Sequence, residues 1–157
     1  MPIDVYRYDF GYQPIPNPKE GAMTMAMTPT RTRAEVEADI KETFGLVPSF
    51  FSRIPDQFLD HEWSMMKELE FGETLIPNKY KELIGVGIHA ETKCGYCTLF
   101  HQEAAKLFGA TDEEIQEAAH FAKFTVGWSV YLNGIREDYD QFSRELQKIG
   151  SYIQSKS

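Results

Sequence analysis

The chain has 157 residues, 42% of them hydrophobic, enough for one domain with a core of its own. Its formal net charge of −8 excludes a basic nucleic-acid face and opposes docking on an anionic membrane surface. No apolar run reaches bilayer length and the N-terminal MPIDVYRYDFGYQ lacks a secretory apolar core, so a cytoplasmic setting is expected.

Residues 1–31 stand apart. The stretch YQPIPNPKEGAMTMAMTPT is rich in Pro, Gly and Thr and has no period, and it reads as an extended arm. Tyr6, Tyr8, Phe10 and Tyr12 alternate there, as in a segment laid on another surface. Met23, Met25 and Met27 read as flexible apolar contacts rather than soft-metal ligands. Residues 32–157 carry the punctuation of a single helical domain. Thr32 and Glu35 form a capping box for a first helix that Gly45 stops. Pro48 and Pro55 bracket PSFFSRIP, a linker expected to bury its aromatics. A second helix is expected from Asp56 to Phe71, with Leu59, Trp63, Met66 and Leu69 or Glu70 on one side and Gly72 as its end. Pro77 suits the first turn of a third helix, NKYKELIGVGIHAE, where Gly85 and Gly87 point to close packing against another backbone.

The fourth helix is CGYCTLFHQEAAKLF, stopped by Gly109. Thr111 and Glu114 make a second capping box for the fifth, DEEIQEAAHFAKFTVGWSVYLNG. Its acidic start complements the helix dipole and is no ligand cluster. That helix is apolar nearly all round, so burial in the subunit or at an interface is expected. A sixth helix carries Ile135, Tyr139, Phe142, Leu146, Ile149 and Ile153, a heptad-like seam. No strand alternation appears outside the arm. The expectation is an all-α bundle of about six helices.

Cys94 and Cys97 are the only cysteines. In a reducing compartment a close pair reads as catalytic or metal-binding rather than structural. On a helix, Cys94, Cys97 and His101 share one face. With Cys94 in the first turn, a disulfide to Cys97 is geometrically easy and unpaired backbone N–H groups favour a thiolate. His101 can take the thiol proton directly or through one water. Helices three and four are consecutive, and antiparallel packing brings Glu82 beside Cys97 and His101, where it can hold the imidazole or a bridging water. Glu91 and His89, near the turn, are expected to meet solvent, and packing roles are favoured for His61 and His120. The dipole favours Cys94 as the attacking sulfur and nearness to His101 favours Cys97. A dipole contribution of roughly 0.3–1 kcal/mol is smaller than the ~1.36 kcal/mol per pKa unit that an imidazolium readily supplies, so Cys97 is preferred. A thioredoxin fold is opposed, because no strand precedes Cys94.

The order Glu82, Cys94, Cys97, His101, together with ETFGLVPSFF, LIPNKYKELIGVGIHAETKCGYCTLFH and KLFGATDEEIQEA, resembles the alkyl hydroperoxidase D family of the carboxymuconolactone decarboxylase-like superfamily, over residues 32–133. The resemblance implies a helical bundle assembled as a trimer or hexamer. It implies thiol-dependent reduction of hydrogen peroxide or organic hydroperoxides, with Cys97 peroxidatic, Cys94 resolving, and Glu82 and His101 as proton relay. That chemistry needs no organic cofactor and no metal. It needs an external dithiol, such as a lipoyl-bearing or thioredoxin-like protein. Where the best-known branch has a histidine before the second cysteine this chain has Tyr96, which cannot serve as a base near neutral pH. Three other readings compete. Zinc held by Cys94, Cys97, His101 and Glu82 is disfavoured, because no second segment supplies further cysteines. A lactone decarboxylase or other acid–base enzyme is disfavoured by the retained cysteine pair. A non-enzymatic redox-sensing subunit suits the heptad helix and the arm.

Overall fold

The structure is a computed structural model that describes residues 30–156. The expected arm, apart from Thr30 and Arg31, lies outside the described residues, as do Met23, Met25 and Met27. Among the described residues there are helices and no strands: α1 (Arg33–Phe44), a 3-10 helix (Ser49–Arg53), α2 (Asp56–Met65), a π-helical continuation (Met66–Phe71), α3 (Asn78–Glu91), α4 (Gly95–Leu107), α5 (Asp112–Ile135) and α6 (Tyr139–Gln154). Contacts divide the chain into two compact units, the first ending at His61 and the second beginning at Glu62.

In the first unit α1 starts where its capping box predicts. The Thr32 hydroxyl and backbone meet the Glu35 carboxylate at 2.7 Å each, and Gly45 ends the helix with φ of 78°. Val36, Ile40, Phe51 and Leu59 are buried. The linker expected to bury its aromatics is a 3-10 turn that buries Phe51 and leaves Phe50 exposed. Asp60 is a buried acid with its acceptors filled. It takes the backbone N–H of Thr30 and of Arg31 at 3.0 Å each, the Thr30 hydroxyl at 2.7 Å and Arg31 Nε at 2.7 Å.

These hydrogen bonds, led by those from Thr30 and Arg31, hold the Asp60 pKa down at about 2. A carboxyl whose pKa is lower folded than unfolded contributes stability that is complete above about pH 4 and is lost as pH falls toward 2. Asp60→Asn is therefore expected to be less stable at neutral pH and to show a flatter acid limb, followed by circular dichroism against pH. Parallel curves for the two proteins would sink this account.

In the second unit, α2 widens into a π-helix instead of running as one regular helix to Phe71. The extra residue per turn shifts the register, so Glu70 is half-buried while Leu69 stays exposed. The loose carbonyls at its end are taken by α3. Lys81 Nζ donates to the carbonyls of Leu69 and Gly72 at 2.7 and 2.8 Å, and Asn78 Nδ2 donates to Phe71 O at 2.9 Å. Gly72 is required here, since a Cβ would stand 2.5 Å from Glu68 O. Pro77 takes the N-cap position of α3 rather than its first helical position.

α3 packs against both α4 and α5. Val86, Ala105, Ala110 and Ile115 form the buried cluster, with Leu83 and Ala119 against it. Gly87 faces α5, with the Ala122 Cβ 3.4 Å from where a Gly87 Cβ would lie, an ordinary contact distance. The second capping box forms as read: the Glu114 N–H donates to Thr111 Oγ1 at 3.2 Å and the Thr111 N–H donates to the Glu114 carboxylate at 2.9 Å. Among the described residues nothing fully covers the apolar sides of α5: Phe121, Phe124, Trp128, Val130 and Tyr131 are exposed. Ile135 closes α5 rather than opening α6, because Arg136 turns the chain with φ of 55°. α6 is amphipathic, and Leu146, Ile149 and Ile153 on its seam are exposed.

Candidate active site

The α3–α4 junction sets the site. Lys93 adopts a left-handed φ of 58°, and the Cys94 N–H returns to His89 O at 3.1 Å. This folds α4 back along α3 in antiparallel register. From Glu82 to His89 is two helical turns along α3, and from His101 to Cys94 is the same length along α4. Glu82 therefore meets His101 at one end, and His89 meets the cysteines at the other.

Glu82 is fully buried, and its Oε2 lies 2.7 Å from His101 Nδ1. Burial pushes the Glu82 carboxyl up, opposed by the hydrogen bond from His101. Its second oxygen, Oε1, is buried with no hydrogen-bond partner among the described residues. Glu70 of the π-helix brings a second carboxylate 3.4 Å from the same His101 nitrogen. The His101 ring lies on Gly85, where a Cβ would stand 2.4 Å from Nδ1. Sequence reasoning expected a backbone approach at Gly85; the close neighbour is this ring. Phe100 flanks it edge-on, with centroids 5.2 Å apart.

Cys94 is the N-cap of α4, and its sulfur accepts the Cys97 N–H at 3.4 Å. The two sulfurs are 2.6 Å apart, half-buried and unbridged. The side-chain hydrogen bond with Cys97, then the Cys97 N–H, holds the Cys94 pKa down; the same sulfur contact, then burial, pushes Cys97 up. Within the pair, ionisation is therefore easier at Cys94 than at Cys97.

His89 stands between the two groups. Its ring stacks on His101 with centroids 4.9 Å apart and planes 8° from parallel. One of its ring nitrogens and both sulfurs lie within 4.8 Å of one another. No hydrogen bond joins His101 to either sulfur among the described residues. The candidate zinc ligands Cys94, Cys97, His101 and Glu82 thus separate into two donor groups, Cys94 and Cys97 joined by His89, and Glu82 and His101 joined by Glu70. The sequence reading placed His89 in solvent near the turn and treated Glu70 only as a candidate for the apolar side of its helix. The signal for His89 was present, since it lies seven residues from Glu82 on the same face of α3.

A helical hairpin that sets a cysteine pair against histidines and buried carboxylate defines a class: all-α proteins with a thiol centre. Residues 54–137 match the model of the carboxymuconolactone decarboxylase family, and the chain belongs to that family. Its structure is similar to the alkylhydroperoxidase AhpD core from Rhodospirillum rubrum ATCC 11170. The TM-score is 0.59 and the identity 21%, over 77% of this chain and 96% of that one. The fold is that of the alkylhydroperoxidase core. No curated protein sequence matches the chain.

Proposed function

We propose that the protein is a thiol-dependent peroxidase that reduces hydrogen peroxide or organic hydroperoxides. The observation that carries the reading is the Cys94–Cys97 pair with an imidazole nitrogen within 4.8 Å and a buried Glu82–His101 pair behind it. In this reading the Cys97 thiolate attacks the terminal peroxide oxygen. The O–O bond breaks, the sulfur becomes a sulfenic acid, and the departing alkoxide or hydroxide takes a proton from the imidazole side. His89 is the ring beside the sulfurs. His101, held by Glu82, exchanges protons with the site through a water. Cys94 then attacks the sulfenic sulfur, water leaves, and a disulfide remains. An external dithiol, on a lipoyl-bearing or thioredoxin-like protein, reduces it through a mixed disulfide. No organic cofactor enters this cycle.

A second assignment exchanges the two sulfurs. It is favoured by the lowered pKa of Cys94 beside the raised pKa of Cys97, which makes Cys94 the more readily ionised sulfur. Self-association as a trimer or hexamer and a cytoplasmic setting belong to the same proposal. The exposed apolar sides of α5 and α6 support the first of these.

The test is steady-state consumption of hydrogen peroxide and of an alkyl hydroperoxide, with dihydrolipoamide or a thioredoxin-like dithiol supplied. Turnover well above the dithiol background is expected. A rate no higher than that of the protein with both cysteines replaced by serine would rule the reading out.

A further inference from the structure

We propose that the reduced Cys94–Cys97 pair and His89 form a binding site for a soft divalent ion of the Zn²⁺ class, and that its occupation blocks the thiol chemistry. The site stands on geometry alone; the blocking rests on the peroxidase reading.

Two sulfurs and an imidazole nitrogen, mutually within 4.8 Å, make a Cys₂His donor set. Around a tetrahedral ion with bonds of about 2.3 Å to sulfur and 2.0–2.1 Å to nitrogen, such donors stand roughly 3.3–3.8 Å apart. Binding an ion requires the sulfurs to open from 2.6 Å, with the His89 nitrogen already within 4.8 Å of both. The backbone is already set. The Cys94 N–H is tied to His89 O at 3.1 Å, and the His89 ring is held flat against His101. All three donors are half-buried, so an ion can reach them from solvent.

The donor set supplies three ligands and leaves a fourth position open, the pattern of an exchangeable ion rather than a closed structural one. This agrees with a chain that has no further cysteine. The neighbouring Glu70, Glu82 and His101 group offers mostly oxygen, and its Glu82 is already hydrogen-bonded and fully buried. A thiophilic ion therefore selects the sulfur site. Binding takes the sulfur electron pairs that would attack peroxide, and disulfide formation removes both thiolates. Ion and oxidation are mutually exclusive.

Titration of the full-length reduced protein with Co²⁺, read by sulfur-to-cobalt charge-transfer absorption, tests the site. Zn²⁺ affinity is read by competition with a chromophoric chelator. One ion per chain is expected in the reduced protein and none in the oxidised one. His89→Ala and His89→Gln are expected to weaken binding by about tenfold or more, and Glu70→Gln to leave it unchanged. One equivalent of Zn²⁺ is expected to suppress peroxide turnover until a chelator is added. Absence of the sulfur–cobalt band in the reduced protein overturns the site. So does equal affinity in both His89 variants with helical content retained, or loss of binding in Glu70→Gln instead. Turnover undiminished with zinc bound overturns the blocking. A protein that binds cobalt through sulfur but consumes no peroxide overturns the functional reading and leaves the site standing.

Discussion

Gly85→Ala is expected to lower peroxide turnover about 100-fold while leaving the helical fold in place, because misplacing a catalytic group by about an ångström costs that much. The added methyl would stand 2.4–2.6 Å from three atoms of the His101 ring, which real contacts do not permit. The ring must leave, and with it go the 2.7 Å bond to Glu82 and the stack on His89. The stability effect has two parts. Alanine gains roughly 0.5–1 kcal/mol over glycine in a helix interior, and overpacking costs typically 1–3 kcal/mol. Loss of His101 also removes the hydrogen bond that opposes the upward push of burial on Glu82. A carboxyl whose pKa is higher folded than unfolded binds its proton preferentially in the folded state. Its unfavourable contribution appears as pH rises above the unfolded value and grows until the folded pKa is passed. The variant should therefore lie nearest the parent in stability at about pH 4 and fall further below it toward neutrality. Thermal unfolding across pH, beside the peroxide assay, checks both halves. Wild-type turnover in Gly85→Ala would mean that the position of His101 is irrelevant to the chemistry.

The readable parts of this chain were those where one residue type admits few structures. Capping boxes at Thr32 and Thr111, the stops at Gly45 and Gly109, and the all-helical pattern are local signals, and the structure carries all of them. The Glu82–His101 pairing was legible because helices three and four are consecutive, so one turn fixes their register. Three features were not legible. The π-helix after Met65 depends on Lys81 and Asn78 reaching back from α3 to its loose carbonyls, a tertiary contact with no local pattern, and so Glu70 was missed. The break at Arg136 is a left-handed turn without glycine, so Ile135 was placed on the wrong helix. The apolar circumference of α5 was read correctly as a pattern, but α6 does not return over it, and its aromatics remain exposed. His89 is a different kind of miss. Its face was readable, but the register had to be followed along both helices before its ring fell beside the sulfurs.

Replacing either cysteine is expected to abolish turnover to background, since the cycle needs one sulfur to attack and the other to close the disulfide. The two variants should differ in how they stop. Cys94→Ser keeps the attacking Cys97 and is expected to consume one equivalent of peroxide per chain and halt as a sulfenic acid, detected by a dione probe and mass spectrometry. Cys97→Ser is expected to show no such burst. The electrostatics favour this split more than the lower pKa of Cys94 in the intact pair implies. The Cys97 pKa is pushed up chiefly by its contact with Cys94, so removing Cys94 lowers it. The Cys94 pKa is held down chiefly by the Cys97 side chain, so removing Cys97 raises it, save for what the serine hydroxyl replaces. The advantage in thiolate therefore moves toward Cys97 once the pair is broken. The intact pair is tested by limited alkylation of the reduced parent, where Cys94 should label first because its pKa is the lower of the two. A burst in Cys97→Ser and none in Cys94→Ser would exchange the two roles. Steady turnover in both would remove the disulfide cycle altogether.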